Sequence, residues 1–136
     1  MDRNDFQHLA ELRIKEAAIL LANGYYSGAF YLAGYAVECG LKACIAKKTK
    51  RYEFPPKNTS GIYTHKLGEL YVSAGLKNYF DNEISKNNNF KNNWSYVKGW
   101  NEESRYELKT QKDAVDIINA INDPNEGILQ WIRKYW

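Results

Sequence analysis

An all-α fold, an up-and-down bundle of four long helices and one or two short ones, is what this sequence predicts. Three observations carry that expectation. Tyr26 to Lys48 reads as one helix of about six turns that is apolar almost all round. Apolar residues elsewhere recur at three- and four-residue spacing, with capping and stop signals between the runs. No segment alternates β-branched residues with polar ones at period two, so strands are not expected.

The first helix is expected from Asp5 to Ala22. Phe6, Ala10, Ile14, Ala17 and Leu21 form its stripe, widened by Leu9, Leu12, Ile19 and Leu20. Asn23-Gly24 stops it, because both residues tolerate the left-handed conformation, and so short a link makes the first two helices antiparallel neighbours. Ser27 is the candidate cap of the second helix, with Tyr25 and Tyr26 as alternatives for its first turn.

On that second helix, at about 100° per residue, Ala29, Ala33, Ala36, Gly40 and Ala43 make a stripe of small side chains. Another helix can approach there, either within the subunit or across a two-fold axis. Phe30, Val37, Leu41, Cys44 and Ile45 form the adjoining packing face. The only polar sector holds Tyr31, Tyr35, Glu38 and Lys42.

Arg51 to Tyr63, with Pro55-Pro56 and Asn58 to Gly61, breaks the helical pattern and reads as a loop. Thr64 is the expected N-cap of a short third helix in which Leu67, Leu70, Tyr71 and Ala74 face inward and Gly75 ends it. A helix over Lys77 to Ser85 follows. Asn87 to Asn93 reads as a loop or a frayed helix start, and Trp94, Val97 and Trp100 resume helical spacing. Thr110 to Asp113 is a capping box that opens a helix through Ala114, Ile117, Ile118 and Ile121. Asp123-Pro124 interrupts it before a last helical piece with Ile128, Leu129, Trp131 and Ile132.

At 136 residues, residues 1–136 are expected to form a single domain. An apolar share of 44% with 26% charge is that of a globular protein, and a net charge of +3 permits nucleic-acid contact without arguing for it. The first residues lack the apolar run of a signal peptide, and Glu38 and Lys42 interrupt the longest apolar stretch, so a cytoplasmic protein without a membrane span is expected. Cys39 and Cys44 point about 140° apart on one helix and read as reduced core thiols.

Several groups are candidates for chemistry. Glu38 and Lys42 stand in the favourable i, i+4 order. They either pair with each other or with Arg105 as structure, or line a cleft with Tyr31 and Tyr35 in which Lys42 receives a phosphate and the tyrosines a base or sugar. Arg105 offers bidentate recognition of phosphate or carboxylate; its structural partner would be Glu38 or a helix C-terminal carbonyl. His65 follows the expected cap, where a helix end disfavours the imidazolium. It is a general base in one reading and a ring hydrogen-bonded across the bundle in the other. From Lys86 to Arg105, Phe90, Trp94, Tyr96 and Trp100 interleave with Lys86, Lys91, Lys98 and Arg105. That pattern suits base stacking, yet helical spacing explains most of these aromatics as core. Two separated histidines without a paired acidic motif argue against a transition metal, no phosphate-cradling glycine loop is present, and no cofactor is expected.

The ordered set formed by Ala22 to Ile45, Thr64 to Leu70 with Ala74 to Leu76, the pair Arg105-Tyr106, and the terminal ILQWIRKYW resembles the HEPN family of prokaryotic helical-bundle proteins. The resemblance implies a five-helix bundle, usually a homodimer. Members are often encoded beside a small nucleotidyltransferase in toxin–antitoxin or defence modules. Some members are RNases with an R-x(4–6)-H motif. Here no histidine follows Arg105, and His8 and His65 are the only two in the chain. The resemblance therefore implies a catalytically degenerate module that binds nucleotide or RNA, or partners a nucleotidyltransferase. Its site would comprise Glu38, Lys42, Arg105, Tyr31, Tyr35 and His65. The alternatives are an RNA-cleaving toxin that uses Arg105 with His65 as base, and a purely structural dimeric scaffold.

Overall fold

The computed structural model describes residues 1–48 and 64–136; the expected loop from Arg51 to Tyr63 lies outside the described residues. Helix α1 (Arg3–Ala22) opens two residues earlier than expected. Asp2 caps it and Asp5 closes a capping box, so Asp5 sits in the first turn rather than at the start. Asn23 and Gly24 (φ +84°) end it as foreseen. The link to α2 (Tyr26–Lys47) is so short that the two helices pack along their length.

Phe6, Ala10, Ile14 and Ala17 of α1 are buried, but Leu12 and Ile19 are exposed. These two lie seven residues apart on one line of the helix, turned away from α2, so they do not widen the core stripe.

Ala29, Ala33, Ala36, Gly40 and Ala43 of α2 are all buried. The close approach that this stripe permits is made within the subunit. A Cβ at Gly40 would meet Ile132 at 3.0 Å and Leu129 at 3.3 Å, both on the last helix, and Ala43 and Ala46 pack with Phe6. Of the described helices, α2 alone is long and apolar enough to cross a membrane, and 78% of its apolar window is buried inside the bundle. Cys39 and Cys44 are buried free thiols.

Three short helices follow, α3 (Leu67–Ser73), α4 (Lys77–Lys86) and α5 (Asn88–Lys98); α3 packs on α2, and α5 packs on α4 and on the last two helices of the chain. Leu67, Leu70, Tyr71 and Ala74 face the core, and Gly75 (φ +77°) turns the chain into α4. Of the two expectations for the asparagine-rich run, loop or helix start, the structure shows the helix start: it is the first half of α5. Asn87 accepts a hydrogen bond from the Phe90 amide and caps it, and Phe90, Trp94 and Val97 bury its inner face. Burial of three large side chains outweighs the weak helix propensity of asparagine. Tyr71, Phe80, Phe90 and Trp94 then stack in one aromatic cluster, with Phe80 edge-on to Phe90 at 5.3 Å and to Trp94 at 5.0 Å.

A 3-10 turn (Glu102–Tyr106) lies against α2 and leads to α6 (Gln111–Asn122). The Thr110–Asp113 capping box forms as expected. Asp123 accepts from the amides of Asn125 and Glu126, turning the chain into α7 (Ile128–Arg133). Arg133 makes a two-pronged contact with Glu11, at 2.7 and 2.9 Å, and so ties the last helix to the first. The described residues form no strand and make an all-α bundle around α2. The expected four long helices are in fact two of 20 and 22 residues, and the remaining α-helices run from 6 to 12 residues.

Candidate functional site

The polar sector of α2 divides into two places. At its C-terminal side Glu38 is 3% exposed and carries two partners. Lys42 Nζ donates to it across one helical turn at 3.0 Å. His65 Nδ1 lies 3.0 Å from both of its carboxylate oxygens. The other ring nitrogen, Nε2, stands 3.1 Å from Glu102 on the 3-10 turn. A ring with N–H on both nitrogens donates to both carboxylates at once. One histidine therefore bridges α2, the approach to α3 and the 3-10 turn.

His65 reaches this position because α3 begins later than expected. Its N-cap is Lys66, and the Thr64 hydroxyl accepts from the Lys66 amide at 3.0 Å instead of capping the helix. His65 thus precedes the helix. The reading of a ring hydrogen-bonded across the bundle describes its contacts; Glu102, its second partner, had no signal in the sequence.

Arg105 is elsewhere. It is exposed and, among the described residues, makes no ion pair, so Glu38 is not its partner. Its guanidinium lies 5.0 Å from the Tyr106 ring centroid. The phenol of Tyr106, and more weakly that of Tyr31, lifts its pKa above the ordinary guanidinium value. Tyr31 precedes Glu38 by seven residues, roughly 10 Å along the helix axis. The expected charged centre of Glu38, Lys42 and Arg105 is therefore two clusters on one face of α2. Tyr35 lies between them, edge-on to Tyr31 at 6.0 Å; burial, then the nearby Cys39 and Glu38, raises its phenol.

The wall beside these clusters is Trp100, whose ring is 5.7 Å from Tyr31 and which borders a cleft of about 540 Å³ with His65, Lys98 and Glu102. Phe90, Trp94 and Trp100 are buried, so the aromatic and basic segment from Lys86 to Arg105 offers no row of stacking rings, and only Tyr96 is open to solvent. Ser27 does not cap α2: Tyr25 holds that position, and the Ser27 hydroxyl accepts from the Lys109 amide at 2.9 Å, anchoring the strip after Arg105. Among the described residues no group of three histidine, cysteine or acidic side chains is placed to hold a metal ion.

A family model of the HEPN domain matches residues 6–135, nearly the whole chain. The chain belongs to the HEPN family. No curated protein and no solved structure matches it. HEPN membership supports a nucleotide- or RNA-associated module in general terms. In this HEPN chain Arg105 and Tyr106 are exposed at the end of the 3-10 turn, and no histidine follows them.

Proposed function

We propose that this HEPN chain binds the phosphate and base of a nucleotide, free or within RNA, without cutting it. It would act in the cytoplasm as a homodimer or beside a nucleotidyltransferase, in a toxin–antitoxin or defence system. The observation that carries the reading is Arg105, an exposed guanidinium with no acidic partner among the described residues, 5.0 Å from the Tyr106 ring. A guanidinium beside aromatic rings is suited to a phosphate joined to a base. Tyr106 and Leu108, 76% and 96% exposed beside it, give a second subunit apolar surface to cover.

Cleavage is disfavoured on two counts. No histidine follows Arg105, and both nitrogens of His65 face carboxylates rather than an open substrate position. Lys42 is likewise engaged with Glu38 and does not stand ready for a phosphate. Titration with ATP and with a short single-stranded RNA, followed by thermal shift and fluorescence, tests the reading. Wild type is expected to bind with a raised melting temperature, and Arg105→Ala to lose at least tenfold in affinity. Absence of any shift at millimolar ligand, or equal binding by Arg105→Ala, would sink it. Total RNA incubated with the protein is expected to remain intact.

A further inference from the structure

We infer that His65 is a positioning residue, a clasp that holds the 3-10 turn on α2 and thereby aims Arg105. The inference rests on the phosphate-binding reading of Arg105 given above. The turn is tied to the polar face of α2 through one side-chain link. Glu102 meets it through His65, which stands 3.1 Å from Glu102 and 3.0 Å from Glu38. Arg105 follows three residues later on the same turn, which lies against α2. A 3-10 helix has three residues per turn, so side chains at i and i+3 lie on the same side, one above the other. Glu102 and Arg105 are such a pair. Fixing Glu102 therefore fixes the side of the turn on which Arg105 emerges.

Besides the clasp, the turn is capped by the Asn101 side chain, which accepts from the Glu103 amide at 2.9 Å, and the strip after it is anchored at Ser27. Its own backbone bonds are few, Ser104 amide to Asn101 carbonyl and Glu107 amide to Ser104 carbonyl, each 3.1 Å. The buried Ser104 hydroxyl has no hydrogen-bond partner among the described residues. Without the imidazole, nothing links Glu102 to Glu38, and the turn loses this tie to α2. Glu38 would keep Lys42 at 3.0 Å, so loss of the clasp leaves the buried carboxylate paired and the bundle folded.

Two readouts on the purified protein separate this inference from the reading it rests on. The first is amide hydrogen exchange without ligand. His65→Ala and Glu102→Ala are each expected to speed exchange at Ser104 and Glu107 about tenfold or more, with α6 unchanged; unchanged exchange in both variants overturns the clasp. The second is ATP affinity. Each variant is expected to bind about five- to tenfold more weakly, and the double variant no more weakly than either single one, because both break the same link. Glu102→Gln, which keeps an acceptor for the imidazole, should stay close to wild type. Should His65→Ala fail to fold, Glu102→Ala on the exposed turn decides alone: wild-type exchange and affinity overturn the clasp. If Arg105→Ala abolishes ATP binding while the clasp variants bind normally, the clasp is wrong and the phosphate reading stands. If exchange rises as expected but Arg105→Ala binds normally, the phosphate reading is wrong, and with it the role of the clasp in aiming Arg105.

Discussion

Trp100 lies flat on Gly34: a Cβ at position 34 would fall 2.3 Å from the indole ring. The contact is possible only because α2 has no side chain there, and it buries Trp100 to 3% exposure while setting its ring 5.7 Å from Tyr31. Gly34→Ala relieves an unfavourable helix residue, worth about 1 kcal/mol in isolation. Overpacking here should outweigh it, at about 1–3 kcal/mol, because the ring must leave its seat. Net destabilisation in urea, with a blue-to-red shift of tryptophan emission as Trp100 becomes wetter, is the expected outcome. A more stable Gly34→Ala protein would show that the ring has room to move.

The two thiols offer a test of the core around α2. Burial pushes both Cys39 and Cys44 up to about 12. The reactive species is the thiolate, so both should resist a thiol reagent at pH 8 in the native protein and react at once in denaturant. Their folded pKa is above the unfolded one, so this contribution to stability is fully present below the unfolded value. It declines as pH rises from about 9 towards 12, where only the unfolded chain gives up its protons. Rapid labelling of either cysteine under native conditions would contradict the burial.

At the start of α6 the sign is opposite. The hydrogen bonds from Thr110 hold the Asp113 carboxyl below its ordinary value. A depressed carboxyl stabilises the fold above its unfolded pKa and loses that contribution as pH falls through the folded one. Wild type should therefore lose melting temperature between about pH 4.5 and pH 3 more steeply than Asp113→Asn, which keeps an acceptor for the Thr110 amide but does not titrate. Thr110→Ala should lower the melting temperature by a few degrees at neutral pH. Parallel acid limbs for wild type and Asp113→Asn would count against the capping box as the source.

What could be read from sequence and what could not follow the range of the interactions. The inward faces of α3 and α6 and the caps at Asn23-Gly24 and Thr110 are decided within a few residues, and they stand as expected. The run from Asn87 to Asn93 is helical because Phe90 and Trp94 find partners in Tyr71 and Phe80, which no local propensity encodes. The separation of Arg105 from Glu38 likewise depends on where the 3-10 turn crosses α2. His65 was visible as a polar residue at the start of α3. Its bridge to Glu102, 37 positions on, was not visible, because pairings of that range are set by tertiary approach.

Glu38 allows the sharpest separation of structure from function. Two donors serve this buried carboxylate, Lys42 from its own helix and His65 from outside it. Removing one leaves the other, so Lys42→Met and His65→Ala should each cost about 1–2 kcal/mol in urea unfolding. Removing both strands an unpaired charge among apolar side chains, at about 3–5 kcal/mol or more, and the double variant should fall below the sum of the singles. Replacing the charge itself in that background, with Glu38→Gln, should restore part of the loss, since a neutral amide is less costly to bury than a carboxylate. Additive losses would mean that water or another group reaches Glu38. Nucleotide affinity of the Lys42 variant gives the second axis. Wild-type binding by Lys42→Met would leave Lys42 with a structural part alone, as its pairing with Glu38 implies, whereas a large loss of affinity in a well-folded Lys42→Met would bring it back as a phosphate ligand.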